Sequence, residues 1–342
     1  MSDVTSLPLI VLAGHDARPA VLPESGADKH PLVGLKGLDV RIGDQPLIDV
    51  LLERVQECGA FDPIYIAGSA HAYGERRGEA RVLDTEGSFG HNIEISVAEV
   101  TRLHPDRPVA LTTCDIVPEA HDLETAMADY AAVAPVDFWF PMITAPADPG
   151  ELGASAWKPQ YHVVPRPGEP PVSILPGHLL IVQPQVCRVP IVLRAFDLAY
   201  RTRNRAIGYR LVRIVAGVLG TLLAADLRGF FRLHPPTLTV SVIYNAVALG
   251  QALRGGQATP EALARHARAI FVQSRHRRRH PERGGRFTVL SAVSLAKDID
   301  TEEEAAEVRR SVLRSRLRGF RRRRRGSSGS LPDPSRRGGQ EV

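Results

Sequence analysis

Two stretches of this 342-residue chain place carboxylates where a hard cation would find oxygen ligands. The run "LTTCDIVPE" (Leu111–Glu119) ends an apolar, β-branched segment in Asp115, and "LAKDIDTEEEAAEV" (Leu295–Val308) carries Asp298 and Asp300 two residues apart. Mg²⁺ prefers such oxygens and bridges protein to phosphate. The second stretch has another reading. Asp300 or Thr301 is a good helix N-cap, Glu304 stands where a capping box wants it, and acids in a first turn suit the helix dipole. Which reading holds depends on whether Asp115 and a phosphate-binding loop meet the pair in space.

The elements that must position these residues follow from apolar spacing. Leu7–Ala13 is a buried-strand run ending at Gly14, and Pro46–Gly59 reads as a helix with Pro in its first turn and Gly at its end. Strands are expected at Pro63–Gly68, Ala80–Asp84, Pro108–Asp115 and Asp137–Ile143, and helices at His91–His104 and Asp122–Val133. From Val186 to Ala269 the spacing is helical, and Phe287–Leu295 then reads as one more strand. Alternating strands and helices of this kind build a parallel α/β sheet, whose ligands bind beyond the carboxyl ends of its strands. The strand ends carrying Gly14, Asp115 and Asp298/Asp300 are therefore expected at one edge.

Composition excludes several classes. Three well-separated cysteines (Cys58, Cys114, Cys187) give neither a disulfide framework nor a C-x-x-C zinc site, and with no leader-like start the expectation is a cytoplasmic protein. Ile214–Ala225 has 12 uncharged residues, too short to span a bilayer, and reads as a buried helix or one touching a membrane surface. The net charge of +5 is misleading: from Arg314 onward ten arginines face two acids, which leaves the body near −3. The body therefore does not read as a nucleic-acid-binding domain, and the Arg/Gly/Ser/Pro tail, expected to be disordered, offers at most transient contact with anionic surfaces. His276 and His280 have H-x₃-H spacing inside an Arg run, but no other Cys or His pair supports zinc. Cys114 reads as a small buried strand residue, since no general base accompanies it.

The long loop "LAGHDARPAVLPESGADKHPLVGLKGLDVRIGDQPLID" adds Leu12-Ala13-Gly14, Arg18, Lys29, Lys36 and Gly43…Pro46-Leu47-Ile48. With "GSFGHNIEISV" (Gly87–Val97), "LTTCDIVPE" and "DIDTEEEAAEV", in this order and spacing, the chain resembles the molybdenum-cofactor-type branch of the nucleotidyltransferases. The resemblance covers roughly residues 7–145 and 286–308. It implies a three-layer, mostly parallel Rossmann-like sheet with a helical insertion. The α/β core would comprise 1–185 and 286–312, the insertion or acceptor subdomain 186–285, and the basic tail 313–342. It implies Mg²⁺-dependent transfer of a nucleotidyl group from an NTP to a small-molecule acceptor. Asp115 and Asp300, with Asp298 as second choice to the latter, would hold the metal, and Lys36 and Arg18, with Lys29 as rival lysine, the phosphates. Leu12, Ala13, Gly14 and Asn92 would bind the nucleotide. Trp157, Lys158, Tyr161 and His178, and Arg201, Arg203, Asn204 and Arg205, are candidates for the acceptor.

This chain departs from that pattern at His15, Asp16 and Ala17, where relatives carry further glycines. A β-carbon there hinders close backbone approach to phosphate. The Lys36-to-Pro46 interval is one residue longer than usual, and Glu303 replaces a proline. Two further readings stay open: a glycosyltransferase using Asp298-Ile-Asp300 as its metal motif on a nucleotide sugar, and a non-catalytic nucleotide-binding protein.

Overall fold

In a computed structural model of the chain, the described residues are 6–16, 19, 22–202, 205–231 and 236–327. The first strand shows how the layers arise. In β1 (Leu7–Leu12), Leu9, Ile10 and Val11 are all fully buried, yet successive side chains point to opposite faces. Leu9 and Val11 pack with Ile48, Leu51 and Leu123, whereas Ile10 packs with Ile93 and Val100. A strand buried on both faces must lie between two helical layers. On one side are α1 (Leu47–Cys58) and α3 (Ala120–Val133), and on the other α2 (Phe89–Leu103) and α4 (Val189–Arg201). This is the three-layer α/β fold expected from sequence.

The parallel part of the sheet is β3 (Ala80–Asp84), β2 (Phe61–Gly68), β1 and β4 (Val109–Thr113), in that spatial order. Leu12 pairs with Ala67 on one side and Thr113 on the other, so three carboxyl ends finish level. A second parallel pair joins β5 (Phe138–Thr144) to β9 (Gly285–Leu290). Three short strands that the sequence reading does not identify extend the sheet: β6 (Tyr161–Val163), β7 (Val172–Pro176) and β8 (Leu179–Val182). β7 and β8 run antiparallel along one edge of β5, and β8 also bridges to β4. Between them, at Gly177–His178, the ladder breaks. A β-carbon on Gly177 would lie 2.8 Å from the Pro141 carbonyl oxygen, so this close crossing requires glycine. The break turns His178 toward the end of β4.

After α4 come α5 (Ile207–Phe230), α6 (Leu238–Gly255), α7 (Pro260–Phe271) and α8 (Ser274–Arg279), before β9 returns the chain to the sheet. The Ile214–Ala225 segment is amphipathic rather than buried throughout: Val218 and Leu222 are buried while Leu223 is more than half exposed. Among the described residues no helix is long and apolar enough to cross a membrane. The last helix, α9 (Glu302–Ser327), continues past residue 313, where the sequence reading begins its disordered tail, with strong helix formers Leu and Arg along it. Residues 328–342 lie outside the described residues.

Candidate active site

Asp115 follows β4 directly, and Asp298 and Asp300 follow β9 through a short turn, Val293–Ala296. Backbone bonds lock the two segments together: Ile299 N–H donates to Asp115 O at 2.8 Å, and Leu32 N–H donates to Asp300 O at 2.8 Å. As a result Asp115, Asp298 and Asp300 each bring a carboxylate oxygen within 4.8 Å of the others. Two features coexist in "DIDTEEE": a helix-capping box and acids that join a carboxylate cluster. The capping box is present: Thr301 Oγ1 accepts from Glu304 N–H at 3.3 Å, and Glu304 Oε2 accepts from Thr301 N–H at 3.0 Å and Asp300 N–H at 2.8 Å. The box fixes the start of α9, leaving the Asp298 and Asp300 side chains to turn into the cluster.

Two lysines sit inside this cluster of acids. Lys36 Nζ lies 2.7 Å from Asp300 Oδ1 and 3.4 Å from both Asp115 Oδ2 and Asp16 Oδ2. Its side chain is only 6% exposed. Burial opposes the charge, but Asp115, Asp300 and Asp16 outweigh it and hold the ammonium above the usual lysine range. Lys158 contacts Asp298, and lies 3.1 Å from Glu304 Oε1 and 3.7 Å from Asp300 Oδ2. Burial again opposes its charge, and Asp298, Asp300 and Glu304 raise its pKa. His178 Nε2 stands 3.4 Å from Asp298 Oδ1, with its Nδ1 3.3 Å from Thr113 Oγ1. Asp298, despite burial, is held well below the ordinary carboxylate range by Lys158 and His178.

The donor set fits a divalent cation. Asp115 Oδ1 is buried with no hydrogen-bond partner among the described residues, an arrangement that costs free energy unless something else satisfies the oxygen. Three carboxylate oxygens in one volume are the ligands Mg²⁺ takes.

Beside the acids a cleft of about 150 Å³ is lined by Gly14, His15, Lys36, Gly87, Asn92 and Asp115, among others. Asn92 is buried, and its Oδ1 accepts from Gly87 N–H at 2.9 Å, while its Nδ2 faces Gly14. The turn at Gly14 packs closely on β2, since a β-carbon on Gly68 would stand 2.7 Å from Ala13 O. Its amides are partly committed: Ala13 N–H donates to Ala67 O and Asp16 N–H to Gly34 O. Gly14 and His15 N–H have no acceptor among the described residues.

The structure thus gathers Gly14, Lys36, Asn92, Asp115, Asp298 and Asp300 of the sequence-expected site, with Leu12 lining the cleft and Ala13 buried in the core beneath it. Lys29 bonds to its neighbour Asp28 at 2.8 Å and lies outside the cluster. Arg18 lies outside the described residues, as do Arg203 and Asn204. Lys158 and His178, read from sequence as acceptor contacts, instead hold Asp298. Tyr161 is in β6 and accepts from Arg210 Nη1 at 2.7 Å, and Arg201 pairs with Asp197 at 3.1 Å. Trp157 is buried against Gly26, and Arg205 is exposed. Sequence reasoning missed Asp16 and Glu304 as members of the charge network. Asp16 was read only as an intruder in a phosphate loop, whereas a lone buried lysine at residue 36 needs several acids around it.

No protein-family model matches the chain, and no curated protein matches it significantly. Among solved structures it is similar to a hypothetical transferase from Thermus thermophilus, at 19% identity and a TM-score of 0.47 over 88% of this chain and 100% of that one. It is also similar to CMP:2-keto-3-deoxy-manno-octonic acid synthetase complexed with CTP, at 13% identity and 0.44 over 91% and 100%. A third likeness is to the bifunctional IspDF from Campylobacter jejuni, at 13% and 0.34 over 56% and 43%. Overlaps this loose add little to the strand order and facial alternation described above, on which the fold assignment rests.

Proposed function

We propose that this chain transfers a nucleotidyl group from a nucleoside triphosphate to a small phosphorylated or hydroxyl-bearing acceptor, releasing pyrophosphate. The observation that supports it best is the convergence of Asp115, Asp298 and Asp300 beside the Gly14 turn, with Asp115 Oδ1 buried and unpaired. These three residues would hold Mg²⁺, which when bound offsets the charge of the phosphates and activates the α-phosphorus toward attack. Gly14 and His15 N–H groups bind phosphate oxygens, and Asn92 with the Gly87 segment orients the nucleoside. Lys36 and Lys158 fix the carboxylates in place and keep the local charge low enough for a triphosphate to approach. No nucleophilic side chain is needed, because the acceptor oxygen attacks directly, and Cys114 suits none: burial pushes its thiol up to about 12.

A second reading, a nucleotide-sugar donor, is favoured by the engaged Asp16 N–H, which leaves fewer amides than a triphosphate cradle usually offers. Thermal unfolding with ATP, CTP, GTP and UTP, with and without Mg²⁺, separates the two. The proposal expects a Mg²⁺-dependent rise with one triphosphate, lost in Asp115→Ala; binding at a hundredfold excess over Kd stabilises by about 2.7 kcal/mol. A rise with nucleotide sugars and with no triphosphate would overturn it.

A further inference from the structure

At the opposite end of the sheet lies a larger opening, with a volume of about 1060 Å³. It is floored by the amino ends of β5 and β9, whose first residues pair as Gly285 with Phe138 and Arg286 with Trp139. The acid cluster sits beyond the carboxyl ends of the same sheet, so a strand length of roughly 20 Å separates the two places. The walls come from α5, α6, α7 and α8. Its chemistry is the reverse of the first site, since seven arginines line it and only three carboxylates do: Asp226, Glu261 and Glu282.

Those carboxylates are mostly occupied elsewhere. Asp226 accepts from Leu238 and Thr239 N–H at the start of α6, and Glu282 pairs with His280. Beneath the floor the fully buried Asp137 takes Arg268 at 2.7 Å and His276 at 2.9 Å, and Arg283 approaches only to 4.0 Å. Arg188 is spent on the Ala269 and Ile270 carbonyls and Ser274 Oγ. The remaining guanidinium groups have little to hold. Among the described residues no carboxylate lies within ion-pair distance of Arg265, Arg277, Arg278 or Arg286. The Nε atoms of Arg277 and Arg283 are buried without any hydrogen-bond partner. Burial and the nearby Arg277 pull the Arg188 guanidinium down to about 10, and burial with Arg268 and Arg278 lowers Arg277. Like charges are thus gathered in a half-enclosed place that lacks its counter-charge.

We infer that this cavity is a binding site for a small, multiply charged phosphorylated anion, held by Arg265, Arg277, Arg278, Arg283 and Arg286. A diphosphate or a pair of phosphate groups matches the geometry class. Planar guanidinium forks take phosphate oxygens two at a time, and the volume is that of a small-molecule site rather than a groove for a chain. Binding there relieves the repulsion among the cations. The site is independent of the nucleotidyl-transfer reading, because none of its residues touches Asp115, Asp298 or Asp300.

The test is calorimetric titration with inorganic pyrophosphate in 0.15 M salt and EDTA, which keeps divalent cations from the acid cluster. Three proteins are compared: wild type, Asp115→Asn and the double variant Arg277→Gln/Arg278→Gln. The expectation is one saturable site per chain in wild type, unchanged in Asp115→Asn and weakened by at least about tenfold in the double variant. Arg278→Gln alone, at an exposed side chain with no partner among the described residues, keeps a folded protein for the same titration should the double variant unfold, and is expected to weaken binding in the same direction. Absence of saturable binding, binding indifferent to the arginine variants, or binding lost in Asp115→Asn would each overturn the inference. So would tight binding of an RNA oligonucleotide with none of pyrophosphate.

Discussion

Replacing Lys36 by Met removes an ammonium that Asp16, Asp115 and Asp300 share. Lys36 Nζ is 2.7 Å from Asp300 and 3.4 Å from Asp115 and Asp16, and only 6% of its side chain is exposed. Deleting one partner of a buried ion pair leaves charge without compensation and costs about 3–5 kcal/mol, against about 0–1 kcal/mol for a surface pair. In EDTA, urea unfolding followed through the buried Trp139 and Trp157 should show a loss in the larger range. Mg²⁺ then acts as a substitute cation. At a hundredfold excess over its dissociation constant it restores about 2.7 kcal/mol, so the gap between variant and wild type narrows when the titration is repeated in Mg²⁺. A loss below about 1 kcal/mol, or a variant that regains nothing with Mg²⁺, would show that these carboxylates are neither buried partners of Lys36 nor a cation site.

Other outcomes follow from single contacts. Native-state alkylation at pH 8 should modify Cys58 ahead of the other two cysteines, because Cys114 and Cys187 are buried and pushed up to about 12, while Cys58, though burial also raises its thiol, is only partly buried; mass spectrometry of the labelled peptides reads the order. Thr301→Ala removes one arm of the capping box and should cost about 0.5–2 kcal/mol in urea unfolding, with a weaker Mg²⁺ response because Asp300 loses its anchor. Gly177→Ala drives a β-carbon onto Pro141 and should destabilise by about 1–3 kcal/mol, read as a lower urea midpoint. The Asp226 carboxyl, though burial opposes it, is held below its usual 3.8 by bonds from Thr239 and Leu238. Its contribution is therefore complete above pH 3.8 and lost as pH falls through the lower folded value. Asp226→Asn should be less stable than wild type at pH 7, and the two unfolding curves should converge in stronger acid.

The parallel half of the fold was legible because its strands are buried on both faces and write themselves as continuous apolar runs, such as Leu7–Leu12 and Val109–Thr113. The strands at Tyr161–Val163, Val172–Pro176 and Leu179–Val182 were not. They are three to five residues long, carry Pro176 and are broken at Gly177, so loop chemistry masks their period. The convergence of Asp115, Asp298 and Asp300 was legible because these acids lie beyond the carboxyl ends of strands of one sheet. The ion pairs of Lys158 were not legible because its partners, Asp298 and Glu304, lie about 140 residues further along, and only the fold brings them together. The basic stretch around Arg277 reads in sequence only as an Arg run with H-x₃-H spacing, and it is the packing of α7 on β9 that brings it over the amino end of the sheet.

The central claim is that Asp115, Asp298 and Asp300 form one divalent-cation site on a nucleotide-binding edge. Electron paramagnetic resonance titration with Mn²⁺ reads this directly. The account predicts one tight Mn²⁺ per wild-type chain, displaced by Mg²⁺, with altered coordination when the productive NTP is added. It also predicts loss of that site in both Asp115→Asn and Asp300→Asn. Weak, non-stoichiometric Mn²⁺ binding in wild type, or tight binding that survives both substitutions, would contradict it.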